Sequence, residues 1–132
     1  MPDREYSNHD VDQFLLSQID TIPHLEALLL LWNSRPRPWS DEEMAGALFL
    51  APESAKSILD DLVRLRLASL KSSGDTRETY CYASDSLRDQ LLAAVDATYR
   101  RELIRVSRLI HSKPSAAVRA FARAFRLKED PR

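Results

Sequence analysis

Between Trp39 and Tyr82 the spacing of the apolar residues changes character, and that change limits the folds open to the chain. Met44, Ala45, Leu48 and Phe49 recur at helical spacing, and so do Ala55, Ile58, Leu59, Leu62 and Leu65. Past Leu67 the period drops to alternation, with Ala68–Lys71 and Glu78–Tyr82 reading as strands around the turn residues Ser72, Ser73, Gly74 and Asp75. A period of 3.6 marks a helix with one buried face and a period of 2 marks a half-buried strand. The 44 residues therefore read as short helix, tight turn, longer helix and hairpin. A two-stranded hairpin is marginal alone, so it has to pack on the helices.

The boundaries have their own chemistry. Ser40 followed by Glu43 is a capping box: the hydroxyl accepts from the Glu43 N–H while the carboxylate reaches back to the Ser40 N–H. Asp41, Glu42 and Glu43 place negative charge at the positive end of the helix dipole. Pro52 disfavours helix at Ala51 and suits the first turn of the next helix. Glu53, Ser54, Lys56, Ser57, Asp60, Asp61 and Arg64 fall on that helix's outer face.

This stretch resembles the winged helix-turn-helix regulators of the MarR, PadR and ArsR type. The resemblance is carried by Ser40, Ala45 and Leu48 in the first helix, by Pro52, Ala55, Leu59 and Leu62 in the second, and by Leu67 before the wing. It covers about a third of the chain. Two departures stand out. Arg66 occupies the position where such proteins commonly end the recognition helix on glycine, and the wing from Lys71 to Arg77 has two basic residues against Asp75. The resemblance implies that the second helix enters the DNA major groove with its N-terminus leading.

The 132 residues suit one domain, and 44% hydrophobic residues suffice for a core. Two glycines argue against a β-rich or loop-rich fold. The expected class is mainly α with a small β-hairpin: a winged helix-turn-helix with a long C-terminal helix and a final short helix. Residues 1–9 read as a flexible tail, 10–83 as the winged-helix domain and 84–132 as a C-terminal helical extension for dimerisation. Before the central module, a short helix is expected over Asp10–Ser17 and a scaffold helix from Ile22 to about Trp32, capped by Thr21. After it, Ser84 is the expected N-cap of a helix reaching His111. Its stripe is Leu87, Leu91, Val95, Tyr99, Leu103, Val106 and Ile110, with Arg101, Arg105 and Arg108 on a second face. Unbroken, that helix measures roughly 40 Å, longer than a small domain can cover, so a second copy is the simplest partner. Lys113–Pro114 breaks it, and a last helix is expected over Ser115–Leu127 with Phe121 and Phe125 inward and Arg119, Arg123 and Arg126 beside them. The expected dimerisation set is Leu103, Val106, Ile110, Phe121 and Phe125.

Enzymatic signals are missing from the sequence. It contains no phosphate-loop, G-x-G-x-x-G or G-x-S-x-G pattern, and His9, His24 and His111 lack metal-ligand spacing. Cys81 reads as a buried thiol between two tyrosines. No catalytic residue, metal or cofactor is expected. The acidic N-terminus and the lone cysteine point to a cytoplasmic protein, and no run is long enough to span a bilayer.

Charge is uneven. Residues 1–99 carry 9 Lys/Arg against 17 Asp/Glu, and residues 100–132 carry 10 against 3. The expected partners are double-stranded DNA and a second copy of the chain. The expected DNA contacts are Ser54, Lys56 and Ser57 on the recognition helix, Lys71 and Arg77 on the wing, and Arg35 and Arg37 in the connector. Glu53, Asp60 and Asp61 share the recognition face and oppose phosphate contact. The competing reading is a winged-helix module that binds protein and not DNA. For Trp32, Trp39, Tyr80, Tyr82 and Tyr99, ordinary core packing is preferred to an effector pocket.

Overall fold

Hydroxyl and carboxylate caps punctuate the chain where the sequence offers them. The computed structural model describes residues 6–72 and 77–112 of the 132. Helix α1 (Asn8–Gln18) starts on a capping box in which Ser7 accepts from the Asp10 N–H at 3.2 Å and donates its own N–H to the Asp10 carboxylate at 3.0 Å. Helix α2 (Ile22–Ser34) starts on Thr21, with Pro23 in its first turn. Helix α3 (Asp41–Leu48) starts on the expected Ser40–Glu43 box, at 3.1 and 2.9 Å for the two bonds. Helix α4 (Pro52–Arg64) follows, then strands β1 (Ala68–Ser72) and β2 (Glu78–Tyr82), which pair antiparallel with Leu70 opposite Tyr80. Helices α5 (Ser86–Arg101) and α6 (Leu103–Ser112) complete the described chain.

The core lies among the helices and under the hairpin. Leu15, Leu25, Leu28, Leu31, Met44, Leu59, Leu62, Leu67 and Leu92 are all fully buried in it. At about 2 kcal/mol for each large apolar side chain taken out of water, these residues drive the packing of α1 to α5 on one another and under the hairpin. Trp39 adds a rudimentary third strand. Its N–H donates to the Tyr80 carbonyl and its carbonyl accepts from the Tyr80 N–H, both at 2.7 Å. The hairpin is thereby fastened to the connector before α3 as well as to α4.

Two expectations about the C-terminal half need correction. Asp85, not Ser84, caps α5; its carboxylate accepts from the N–H groups of Leu87 and Arg88 at 3.1 and 3.2 Å. Ser84 instead donates its hydroxyl to Asp89 at 2.8 Å. The long helix is also not continuous. It breaks at Glu102, whose backbone (φ −129°, ψ 49°) closes α5 through a bond to the Thr98 carbonyl and opens α6 by accepting from the Val106 N–H. The apolar stripe does not by itself require the break: at about 100° per residue, Leu92, Val95, Val106 and Ile110 would fall within about 60° of one another on a straight helix. The break goes with tertiary contact, in which α6 docks on α1 and α2. Leu87 and Leu103 are left exposed, while Leu92 and Val95 of α5 and Val106 and Ile110 of α6 are buried.

Arg105 holds the break in place. Its guanidinium donates to both carboxylate oxygens of Asp12 on α1 at 3.0 Å and to Glu102 at 2.7 Å. Of the expected dimerisation residues, Val106 and Ile110 lie in the chain's own core, because the break turns α6 onto α1 and α2. Leu103 is exposed. Phe121 and Phe125, with the last helix expected over Ser115–Leu127, lie outside the described residues, as do residues 1–5 of the expected tail and the hairpin turn at 73–76.

Candidate nucleic-acid interface

The α3–α4 connection is a tight turn of three residues, Phe49, Leu50 and Ala51. Phe49 closes α3 in the left-handed region at φ 58°, ψ 47°, and its N–H and that of Leu50 both donate to the Ala45 carbonyl. For a residue with a Cβ this conformation costs roughly 1–2 kcal/mol. Phe49 continues the apolar stripe of α3 in sequence, but its ring is 94% exposed, because the turn carries it off the helix's buried face. Helix α4 then begins at Pro52 without a side-chain cap.

Ser54 and Ser57 face solvent on α4, together with Glu53 and Lys56. Lys56 is not a free cation. Its ammonium donates to Asp60 and to the Tyr80 hydroxyl, both at 3.3 Å, and lies 3.7 Å from Glu78. Tyr80 in turn donates its hydroxyl to Asp60 at 2.7 Å. The bond to Tyr80, then the one to Asp60, pushes the Lys56 pKa up, so the side chain stays charged. Sequence reading places Asp60 and Lys56 on one face from their i, i+4 spacing. It gives no sign that Tyr80, 20 residues on, completes the cluster, since that requires β2 to lie against α4.

Asp61 is occupied from the other side. It accepts from His24 of α2 at 2.8 Å and pairs with Arg64. Two of the three carboxylates on the outer face of α4 are thus already engaged, and Glu53 is the one that stands outward without such a partner among the described residues. This relieves part of the electrostatic conflict apparent in the sequence.

The connector arginines are stacked. The Arg35 guanidinium lies 3.5 Å from the centre of the Trp32 ring, and Arg37 lies 3.9 Å from that of Trp39 while donating to Glu43 at 3.2 Å. Both remain exposed. Cation–π stacking fixes where their charge sits, and that of Arg37 is paired with the Glu43 carboxylate. On the hairpin, Lys71 and Arg77 flank the turn and are exposed. The structure therefore gathers Lys56 and the wing around one edge of α4 and holds Arg35 on the Trp32 ring of α2 and Arg37 on the Trp39 ring of the connector.

The aromatic residues divide in two. Trp32, Trp39, Tyr80 and Tyr82 are core residues, with Trp32 and Tyr82 meeting edge to face at 5.1 Å. Burial, then the hydrogen bond to Asp89, pushes the Tyr82 hydroxyl's pKa up. Tyr99 lies apart, in a groove of about 300 Å³ bounded by α2, α3 and α5. Cys81 is buried, as its place between the two tyrosines implies. No group of three or more metal-ligating side chains is gathered among the described residues.

No protein-family profile and no curated protein sequence matches the chain. Solved structures do. MepR of Staphylococcus aureus, a transcription regulator of the multidrug efflux pump MepA, aligns at TM-score 0.55 and 17% identity over 91% of this chain and 84% of that one. A MepR–DNA complex aligns at TM-score 0.56 and 17% identity over 71% and 76%. Mb0332 of Mycobacterium bovis, a homodimeric winged helix-turn-helix DNA-binding domain, aligns at TM-score 0.55 and 20% identity over 77% and 94%. With the order α3–turn–α4–hairpin and the Trp39–Tyr80 bridge already established, these likenesses show that the chain has the winged helix-turn-helix fold.

Proposed function

We propose that this protein is a homodimeric DNA-binding transcriptional regulator in which α4 enters the major groove of double-stranded DNA. The observation that carries the reading is the exposure of Ser54, Lys56 and Ser57 on the outer face of α4, with Lys56 bonded to Tyr80 and close to Glu78 of the hairpin that carries Lys71 and Arg77. Helix-turn-helix proteins read bases with the N-terminal part of the second helix and touch phosphate from flanking elements. Ser54 and Ser57 are positioned as base- or phosphate-facing donors. Lys56 exchanges its bonds to Asp60 and Tyr80 for a phosphate, and Lys71, Arg77, Arg35 and Arg37 add backbone contacts. A structurally similar regulator, MepR, is known in complex with DNA.

The homodimer rests on uncovered apolar surface. Leu87 and Ile104 are each 67% exposed and Leu103 is 51% exposed on α5 and α6. A second copy covers them; Phe121 and Phe125 of the expected dimerisation set lie outside the described residues. We assign no catalytic role, cofactor or effector. Among the described residues no single helix is long and apolar enough to cross a membrane.

The test is selection of bound sequences from a random duplex pool, followed by affinity measurements on the charge-reversal variants Lys56→Glu and Arg77→Glu. Each should weaken binding to every sequence and lower the steepness of its salt dependence by about one counterion. Variants that bind as the unaltered protein does refute the assignment of these residues. A pool from which nothing is selected favours a protein-binding module instead.

A further inference from the structure

Phe49 is the least economical residue in the described structure: a large apolar ring, 94% exposed, on a backbone held at φ 58°. Left-handed backbone is an outlier for a bulky side chain, and glycine or asparagine is the usual solution at this helix end. Neither the exposure nor the strain stabilises the fold. Both follow if the ring is presented to a ligand.

The neighbourhood narrows what that ligand is. From Gly46 to Pro52 the chain has no charged and no polar side chain, so no side chain of this edge binds a phosphate; that is left to the uncapped backbone N–H groups at the start of α4. Ala51 and Pro52 are exposed beside Phe49, and Glu53 and Ser54 begin the outer face of α4 directly after them. If α4 enters the major groove with its N-terminus leading, Phe49 arrives with it. The apolar group that base edges display in that groove is the thymine C5-methyl.

We propose that Phe49 is a specificity-determining residue that packs on a thymine methyl at the edge of the sequence read by α4. This rests on the DNA-binding reading above. The turn holds the ring outside the core in advance, so no rearrangement is needed at the moment of contact. Phe49 supplies the apolar part of the readout and Ser54 and Ser57 the polar part.

Replacing single thymines by uracil removes only that methyl. In the full-length protein, bound to its selected duplex, at least one such replacement should weaken binding about fourfold, as expected for one buried carbon worth about 0.8 kcal/mol. The same replacement should leave the affinity of Phe49→Ala unchanged. Phe49→Gly, which relieves the backbone, guards against misfolding and should behave as the alanine variant does. The proposal is overturned if no thymine-to-uracil change weakens binding, or if the loss persists in both variants. It is also overturned if Phe49→Ala changes the molecular mass in light scattering, which assigns the ring to contact between copies. Failure of the unaltered protein to bind any duplex removes the DNA-binding reading and this proposal together; binding without a methyl effect removes this proposal alone.

Discussion

Replacing Arg66 by glycine should stabilise the protein. Arg66 adopts φ 62° at the end of α4, where its N–H donates to the Val63 carbonyl at 2.9 Å and the next N–H, from Leu67, donates to the Leu62 carbonyl at 2.9 Å. The turn aims β1, and hence the wing, so its geometry matters to the whole hairpin. A residue with a Cβ adopts this conformation at a cost of roughly 1–2 kcal/mol, whereas glycine adopts it freely but loses about 0.5–1 kcal/mol more backbone entropy on folding. The net gain from Arg66→Gly is about 0.5–1 kcal/mol. The side chain itself is exposed, and the Arg88 guanidinium donates to the Arg66 carbonyl, a contact that survives substitution. Arg66→Ala is the control, because it removes the same side chain and keeps the backbone cost. Denaturant unfolding should place the glycine variant above both the alanine variant and the original protein, with Tm raised by about 2–4 °C. An alanine variant as stable as the glycine variant refutes the argument from backbone strain.

Glu78→Gln should raise DNA affinity, because it removes one of the two carboxylates that hold Lys56; titration of a labelled duplex checks it. A double-mutant cycle between Asp12→Asn and Arg105→Gln should give a coupling of about 1 kcal/mol, discounted from a buried pair because both side chains are partly exposed. Ser40→Ala should cost about 1 kcal/mol in thermal or denaturant unfolding. The Ser40 N–H, then the Arg37 guanidinium, outweigh burial and hold the Glu43 carboxyl below its ordinary 4.5. Its stabilising effect is therefore present above that pH and lost as pH falls through the lowered value, and Glu43→Gln should flatten this part of the acid profile. At the alkaline end the sign reverses. Tyr82 has a raised pKa, so its contribution is intact below its ordinary 10.0 and declines above it, and Tyr82→Phe should remove that decline.

The elements legible in the sequence are those whose signals are local. The Ser40–Glu43 box, Pro52 at the start of α4 and the alternation across Glu78–Tyr82 each depend on residues a few positions apart, and each element appears where the sequence places it. The break at Glu102 was not legible, because the apolar stripe runs through it without interruption; what goes with it, the docking of Val106 and Ile110 of α6 on α1 and α2, is tertiary. Phe49 fits the periodicity of α3 yet lies outside its core for a related reason: the turn that ends the helix is set by packing, not by apolar spacing. At the interface, residue types and faces were readable and partners were not. Lys56 depends on Tyr80 and Glu78 from another element, and Asp61 on His24, so charge counted along α4 alone overstates the repulsion that DNA would meet.

The most direct test of the account is the anisotropy of a labelled random duplex titrated with the full-length protein at about 50 and 200 mM salt, since phosphate-driven binding weakens steeply over that interval. Light scattering on the same samples gives the mass. The account predicts a dimer that binds at the lower salt and loses at least about tenfold in affinity at the higher. A protein that leaves the duplex unbound at low salt, or binds it with equal strength at both, contradicts it.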